Sequence, residues 1–135
     1  EVLDRRLQAA GRTLPVFVQV NTSNEPQKYG IQPHALPDFL VALQEYPTLE
    51  VQGLMTLALF TPDVERVREC FVLLRSLRDQ MREEAPELIG PGELSMGMSG
   101  DFEVAIEEGA TVVRVGQAIF VARETADSYY WPGMA

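Results

Sequence analysis

The sequence predicts an α/β fold in which four parallel strands alternate with helices. Four short apolar runs recur along the chain, amphipathic segments with helical spacing separate them, and turns rich in glycine and proline lie between the two. Strands separated by helices of this length cannot pair as hairpins, so neighbouring strands are expected to lie parallel. Four such units form half of an eight-stranded barrel or part of an open sheet.

The first part of the chain contains a helix, a strand and a second helix. Residues 2–10 have the pattern of a helix interior, and because the chain starts there at Glu1, we expect it to be part of a longer protein. Residues 16–20 are rich in β-branched side chains and predict the first strand, which leads into a polar turn. Apolar residues at helical spacing over 33–46, with a proline in the first turn, predict the next helix.

The middle of the chain holds the second strand and the clearest helix. Residues 51–55 are the strand candidate. Over 63–84, apolar side chains step by three and four along one stripe, while arginines and carboxylates occupy the opposite face. Cys70, the only cysteine, adjoins this stripe and is expected to be a small core residue. A single cysteine allows no internal disulfide, which is compatible with a cytoplasmic location.

Two short units follow. Residues 93–95 and 112–115 are the third and fourth strand candidates. Between them, 101–108 has the pattern of a short helix that Gly109 closes in the left-handed conformation. Residues 117–121 begin a last helix or a short extension.

Composition and charge limit the classes of function. Hydrophobic residues make up 46% of the 135 residues, which indicates a packed core. The formal net charge of −9 disfavours nucleic acid and anionic membrane surfaces as partners. The backbone dipoles of a single turn can still bind a small anion. No apolar run approaches the roughly 20 residues needed to span a bilayer.

The turn after the third strand has the composition of an anion site. Residues 95–101 have the sequence SMGMSGD and lie between a strand and a helix start. The glycines let the backbone approach a ligand closely, the free N–H groups of the first helical turn attract an anion, and Ser99 adds a hydroxyl donor. This chemistry suits a phosphate. The alternative is an ordinary turn in which Ser99 or Asp101 caps the helix.

A second such turn follows the fourth strand. Arg114 interrupts an apolar strand, and because both faces of a parallel sheet are covered, its guanidinium needs a defined partner. Gly116, directly after the strand, again permits close approach of a ligand to the backbone. Two phosphate-competent turns in consecutive final units match the usual phosphate site of (β/α)8 barrels.

The remaining polar candidates are less specific. Lys28 is the only lysine, and in its polar loop it is either a solvated residue or an amine placed at the mouth of a barrel. His34 is the only histidine, and its position at a helix start predicts a surface residue. No pair of histidines or cysteines has the spacing of metal ligands, so no metal site is expected.

A set of motifs spans nearly all of residues 16–123. The motifs are N-x-S-x-E-x-x-K-x-G over 21–30, GLM over 53–55, LSMGMSGDFE over 94–103, AI over 105–106, Gly109, VRVG over 113–116 and IF over 119–120. Together they resemble the YggS/PROSC family of pyridoxal phosphate homeostasis proteins. The resemblance implies that residues 1–123 are the C-terminal half of a (β/α)8 TIM barrel, like the N-terminal barrel of alanine racemase. The aromatic tail 124–135 would be a loosely docked end outside it.

The resemblance also implies pyridoxal 5′-phosphate as the cofactor, bound at the mouth of the barrel. The hydroxyl of Ser99 and the backbone of Gly116 and Gln117 would bind its phosphate, and Arg114 would face its pyridine nitrogen. The other expected cofactor residues are Met55 and Lys28. The lysine that holds the cofactor covalently belongs to the first strand of the family's barrel. It is therefore expected in the N-terminal half, which is an expected partner of this chain.

The implied function is binding, storage and delivery of the cofactor without turnover. A permanently protonated arginine cannot usefully protonate the ring nitrogen, so the ring is a weaker electron sink than one paired with a carboxylate. The alternative is an alanine-racemase-like enzyme acting on amino acids, although no second β-rich domain and no tyrosine placed as a second acid/base is evident. A third interpretation is a chain with no activity of its own.

Two positions depart from the family's pattern. Val121 stands where glycine is usual, which is expected to alter the backbone of the last turn. Gln117 stands where several relatives have a small hydroxyl residue, so a backbone contact remains but a side-chain donor is lost.

Overall fold

Four parallel strands and their connecting helices make up the computed structural model, which describes residues 1–26 and 29–120. The strands are β1 (Leu14–Gln19), β2 (Leu49–Met55), β3 (Glu93–Met98) and β4 (Val112–Arg114). The helices are α1 (Val2–Ala9), α2 (Leu36–Leu43), α3 (Val64–Glu84), α4 (Phe102–Glu107) and α5 (Gln117–Phe120), and 3-10 turns cover Pro33–Ala35 and Pro86–Leu88. Lys28, Val121 and the predicted tail lie outside the described residues.

The strand order is β1-β2-β3-β4, with every neighbouring pair parallel. The predicted α/β class, with four parallel strands alternating with helices, is therefore confirmed. In a doubly wound open sheet the order reverses at a switch point, whereas in a barrel each crossover moves on in the same direction. The monotonic order is that of consecutive barrel strands. Because crossovers of one hand then place their helices on one face, the other face carries no crossover helix.

The hydrophobic core lies between the sheet and the crossover helices that pack on it. Val18, Leu54 and Leu94 are partners in register across three strands, and all three are buried. Phe71 and Leu74 of α3 belong to the same buried cluster. The next row, Gln19, Met55 and Ser95, is also in register. Because successive side chains of a strand alternate between faces, this row points to the face opposite the crossover helices.

The helices follow the predicted pattern, with tighter ends. The predicted helix over 33–46 begins with a 3-10 turn, and its last residues, 44–46, donate their N–H groups to carbonyls three residues earlier. Asp63 caps α3 by accepting the N–H groups of Glu65 and Arg66. Cys70 is a buried free thiol, as predicted. Among the residues described, no helix combines the length and apolar character that crossing a membrane requires.

The third strand is longer than predicted near the candidate site. β3 continues to Met98, three residues past the predicted end, and its ladder with β4 pairs Met98 with Arg114 after an irregularity. Gly97 makes this possible because it adopts a φ of 100°, which other residues rarely adopt. The turn between β3 and α4 is therefore only residues 99–101, and not 95–101.

Candidate functional site

The two turns that the sequence singled out lie side by side at one edge of the sheet. Parallel strands place all their carboxyl ends at the same edge. The pairing of Met98 with Arg114 aligns the ends of β3 and β4, so the turns after them are neighbours. This edge is where α/β sheets and barrels bind ligands.

The hydroxyl of Ser99 joins these turns. Its Oγ accepts the N–H groups of Gly116 and Ala118 at 3.1 and 3.2 Å, and Gln117 lies between these two residues. Ser99 and Gly116 thus come together as predicted. The first N–H groups of a helix have no intrahelical partner, and here two groups at the start of α5 share one hydroxyl oxygen. Ser99 is half-buried and Gly116 and Gln117 are exposed, so a ligand has access to this point.

Gly97, within β3, and Gly116, after β4, have different structural roles. A Cβ added at Gly97 would lie 2.7 Å from the Cβ of Ala105, so the packing of α4 on β3 requires that glycine. A Cβ at Gly116 would meet no atom within 4 Å. The space above Gly116 is therefore open, and the fold does not explain the glycine there.

Arg114 crosses the face of the sheet opposite the crossover helices. Its Nη1 donates to Ser95 Oγ at 2.7 Å, and its Nη2 donates to the carbonyl oxygen of Thr56 at 3.0 Å. These are the partners that a guanidinium in a strand needs. Burial lowers the pKa of Arg114, and the nearby carboxylate of Asp101 opposes that shift. An arginine remains protonated, so the group is a fixed donor and cation.

A buried hydrogen-bond network that the sequence analysis missed connects this arginine to β1. Thr56 Oγ1 donates to the carbonyl of Val20 at 2.8 Å and lies 2.8 Å from Thr22 Oγ1. Thr56 is fully buried. A polar residue directly after a buried strand was the one local signal that could have identified it.

The other predicted site residues have different positions. Met55 ends β2, is half-buried and shares the row of Ser95, so it lies on the same face as Arg114. Lys28 lies outside the described residues.

His34 is exposed, as predicted. Asp101 is the N-cap residue of α4, but its side chain makes no capping hydrogen bond, and its Oδ1 accepts the N–H of Met98 at 2.7 Å. Within 1–26 and 29–120, no three histidine, cysteine or acidic side chains are grouped as a metal site would need.

The chain matches a known family over nearly its whole length. The family model described as alanine racemase, N-terminal domain, matches residues 1–124. A pyridoxal phosphate homeostasis protein of Aquifex aeolicus is 43% identical over 109 residues, which are 81% of this chain and 47% of that protein. The protein of the same name from Homo sapiens is 40% identical over 117 residues, covering 82% and 41%. The chain thus spans about half the length of the curated relatives it matches.

Solved structures share the fold. A protein described as unknown from Bifidobacterium adolescentis superimposes with a TM-score of 0.78 at 40% identity, over 87% of this chain and 47% of that one. PipY of Synechococcus elongatus, in a structure with PLP bound, gives a TM-score of 0.77 at 32% identity, over 87% and 54%. These matches confirm the family that the motifs resembled.

Proposed function

This chain belongs to the alanine racemase N-terminal domain family, and on that basis we propose that it binds pyridoxal 5′-phosphate as the C-terminal half of a (β/α)8 barrel. The proposed role is homeostasis of the cofactor, meaning its storage and delivery, and not catalysis. We place the end of the half barrel at residue 123 and treat 124–135 as a tail outside it.

The observation that carries this proposal is the contact between the two turns. Ser99 Oγ and the N–H groups of Gly116 and Ala118 meet at one accessible point at the start of α5. Hydroxyl and backbone N–H donors around a helix start are the groups that bind a phosphate. The backbone of Gln117 is the further proposed donor. The similarity to PipY, whose structure has PLP bound, supports this choice of ligand.

Arg114 fits the ring end of the same cofactor. It ends β4, two residues before Gly116, and its guanidinium bonds to Ser95 on the face that Met55 shares. Its guanidinium would donate a hydrogen bond to the ring nitrogen, and Met55, on the same face, would pack against the ring. When bound, the cofactor supplies an aldehyde that reacts with amines and a ring that accepts electrons. An arginine partner makes that ring a weak acceptor, which favours binding over turnover.

We propose the N-terminal half of the same barrel as the partner. Within the described residues β4 pairs only with β3. The outer edge of β1 is paired at its carboxyl end, where Ile31 bridges to Val20, so the rest of that edge and the outer edge of β4 can pair with further strands. A groove of about 410 Å³ beside β1 is lined mainly by apolar side chains of β1 and α2, including Phe17, Phe39 and Leu43. Four further parallel strands would cover these edges and would bring the lysine that holds the cofactor.

The net charge and the free thiol support the proposed choice of partners and the proposed location. The net charge of −9 argues against nucleic acid or an anionic membrane as a partner. The buried free thiol of Cys70 suits a reducing compartment, and we propose the cytoplasm.

Binding of pyridoxal phosphate to the full chain, measured by equilibrium dialysis, tests the site. Ser99→Ala removes a hydrogen bond to a charged group, worth about 1.5–3 kcal/mol, so the Kd is expected to rise roughly ten- to hundredfold. Ser76→Ala is the matched control, because that hydroxyl bonds to its own helix on the exposed face of α3. Equal affinity of wild type and Ser99→Ala would contradict the site. Racemisation of L-alanine above the rate of free cofactor would contradict the non-catalytic role.

A further inference from the structure

The guanidinium of Arg114 is held by two groups to which the proposed function assigns no task. Ser95 Oγ accepts from Nη1, and the carbonyl of Thr56 accepts from Nη2. One acceptor lies in β3 and the other directly follows β2, so together they fix both the reach and the plane of the side chain. A free arginine side chain loses rotamer entropy when a ligand orders it. Fixing it before a ligand arrives removes that cost from binding.

Both acceptors are themselves rigid. Ser95 lies within β3 and is only 5% exposed. Thr56 is fully buried, its N–H donates to the carbonyl of Ser95 at 3.1 Å, and its hydroxyl donates to the carbonyl of Val20. The orientation of Arg114 is therefore set by the sheet and not by solvent.

We propose that Ser95 is a positioning residue, which acts through Arg114 by aiming the guanidinium at the ring nitrogen of the bound cofactor. This inference rests on the proposed function, because it needs the ring to face Arg114. A serine hydroxyl has lone pairs to accept the arginine N–H and still keeps its own proton. Without it, Nη1 loses its acceptor in a half-buried position, and the guanidinium is left with the carbonyl of Thr56.

Two ligands, pyridoxal phosphate and inorganic phosphate, distinguish an effect at the ring end of the site from an effect at its phosphate end. In Ser95→Ala, the Kd for pyridoxal phosphate is expected to rise about fivefold, since one hydrogen bond contributes about 1 kcal/mol. The Kd for inorganic phosphate, which reports only on Ser99 and Gly116, is expected to be unchanged. In an Arg114→Ala background, Ser95→Ala should have no further effect on either ligand. Ser95→Cys, which keeps the volume but offers a weak acceptor, should lie between serine and alanine, and it serves if the alanine variant does not fold.

A spectroscopic readout distinguishes positioning from general damage to the fold. With pyridoxal phosphate labelled with 15N in the ring, the nitrogen shift of the bound ligand should move in Ser95→Ala towards its value in Arg114→Ala. An unchanged shift, a parallel loss of affinity for both ligands, or an equal effect in the Arg114→Ala background would each overturn the inference. Failure of the wild-type chain to bind pyridoxal phosphate, with phosphate still bound, would overturn the proposed function as well.

Discussion

At the scale of single residues, the carboxyl ends of the strands are joined by side-chain hydrogen bonds. The one proton of the Thr56 hydroxyl goes to the carbonyl of Val20, so the hydroxyl of Thr22, 2.8 Å away, must donate to Thr56. Thr56 also carries the carbonyl that accepts from Arg114. This one residue therefore connects the end of β1 with the end of β4.

Thr56→Val is expected to destabilise the fold. Valine keeps the shape of threonine, but it leaves the carbonyl of Val20 and the hydroxyl of Thr22 without this partner in the interior. An unsatisfied buried polar group costs about 1–3 kcal/mol, so we expect the free energy of unfolding to fall by about 2 kcal/mol. Urea unfolding measures it. Thr56→Ser keeps the hydroxyl and is the control. A valine variant as stable as the serine variant would show that these bonds contribute nothing.

The sequence indicated which residues are candidates for the site, but not how their side chains are held. Arg114 was expected to need a partner, because a guanidinium in a parallel strand cannot stay unpaired. Its partners, Ser95 and Thr56, lie 19 and 58 residues earlier in the chain. No local pattern encodes pairs at such separations, since they arise only when strands align. Ser99 and Gly116 were predictable because each lies in a glycine-containing segment that follows a predicted strand.

At the scale of elements, α4 is fixed to α3 by charge at its carboxyl end. Both oxygens of the Glu108 side chain are engaged, with Arg68 at 2.9 Å and Arg75 at 2.7 Å, and Arg75 also donates to the Glu108 carbonyl. The hydrogen bond from Arg68 is the largest cause of a lowered pKa for Glu108, and Arg75 adds to it. Since α4 starts just after Ser99, this clamp helps to fix the turn that carries the candidate site.

Glu108→Gln is expected to reveal a pH-dependent contribution to stability. Because the pKa of Glu108 is lowered in the fold from its ordinary value of 4.5, the stabilisation is fully present above that value. It is lost as the pH falls through the lower, folded pKa. The urea midpoint of wild type should therefore exceed that of the variant at neutral pH, and the difference should shrink below pH 4.5.

A neighbouring glutamate provides the control for this experiment. Glu107 contacts Arg68 at 2.8 Å but is 60% exposed, so its ion pair is screened by water and contributes little. Glu107→Gln should leave both the midpoint and its pH dependence nearly unchanged. If the two glutamine variants behaved alike, the clamp at Glu108 would be an ordinary surface pair.

Element types were predictable from periodicity, and their ends were less so. The stripe over 63–84 identified α3 almost to the residue, because a long amphipathic helix repeats its signal many times. The end of β3 was misplaced because Gly97 normally signals a turn. Here its positive φ serves the close packing of α4 on the strand, a tertiary constraint that the local pattern does not contain.

At the scale of the whole molecule, strand order separates the two folds that the residue pattern alone left open. Alternating strands and helices are common to barrels and open sheets, and only tertiary pairing reveals the monotonic order β1-β2-β3-β4. The resemblance of the motifs to a barrel family pointed to the same answer. The row Gln19, Met55 and Ser95 then faces the side where a barrel has its interior.

The position of the only lysine predicts that the chain binds the cofactor without holding it covalently. Lys28 is the only lysine and follows β1 in the sequence. The resemblance of the chain to its family instead implies that the covalent lysine lies on the first strand of the complete barrel. We therefore expect no stoichiometric adduct at Lys28 after incubation with pyridoxal phosphate, borohydride reduction and mass mapping. Saturable binding without an adduct would fit a binding site whose covalent lysine comes from the N-terminal half of the barrel. A stoichiometric adduct at Lys28 that disappears in Ser99→Ala would contradict this, because it would show the phosphate site presenting the aldehyde to that amine.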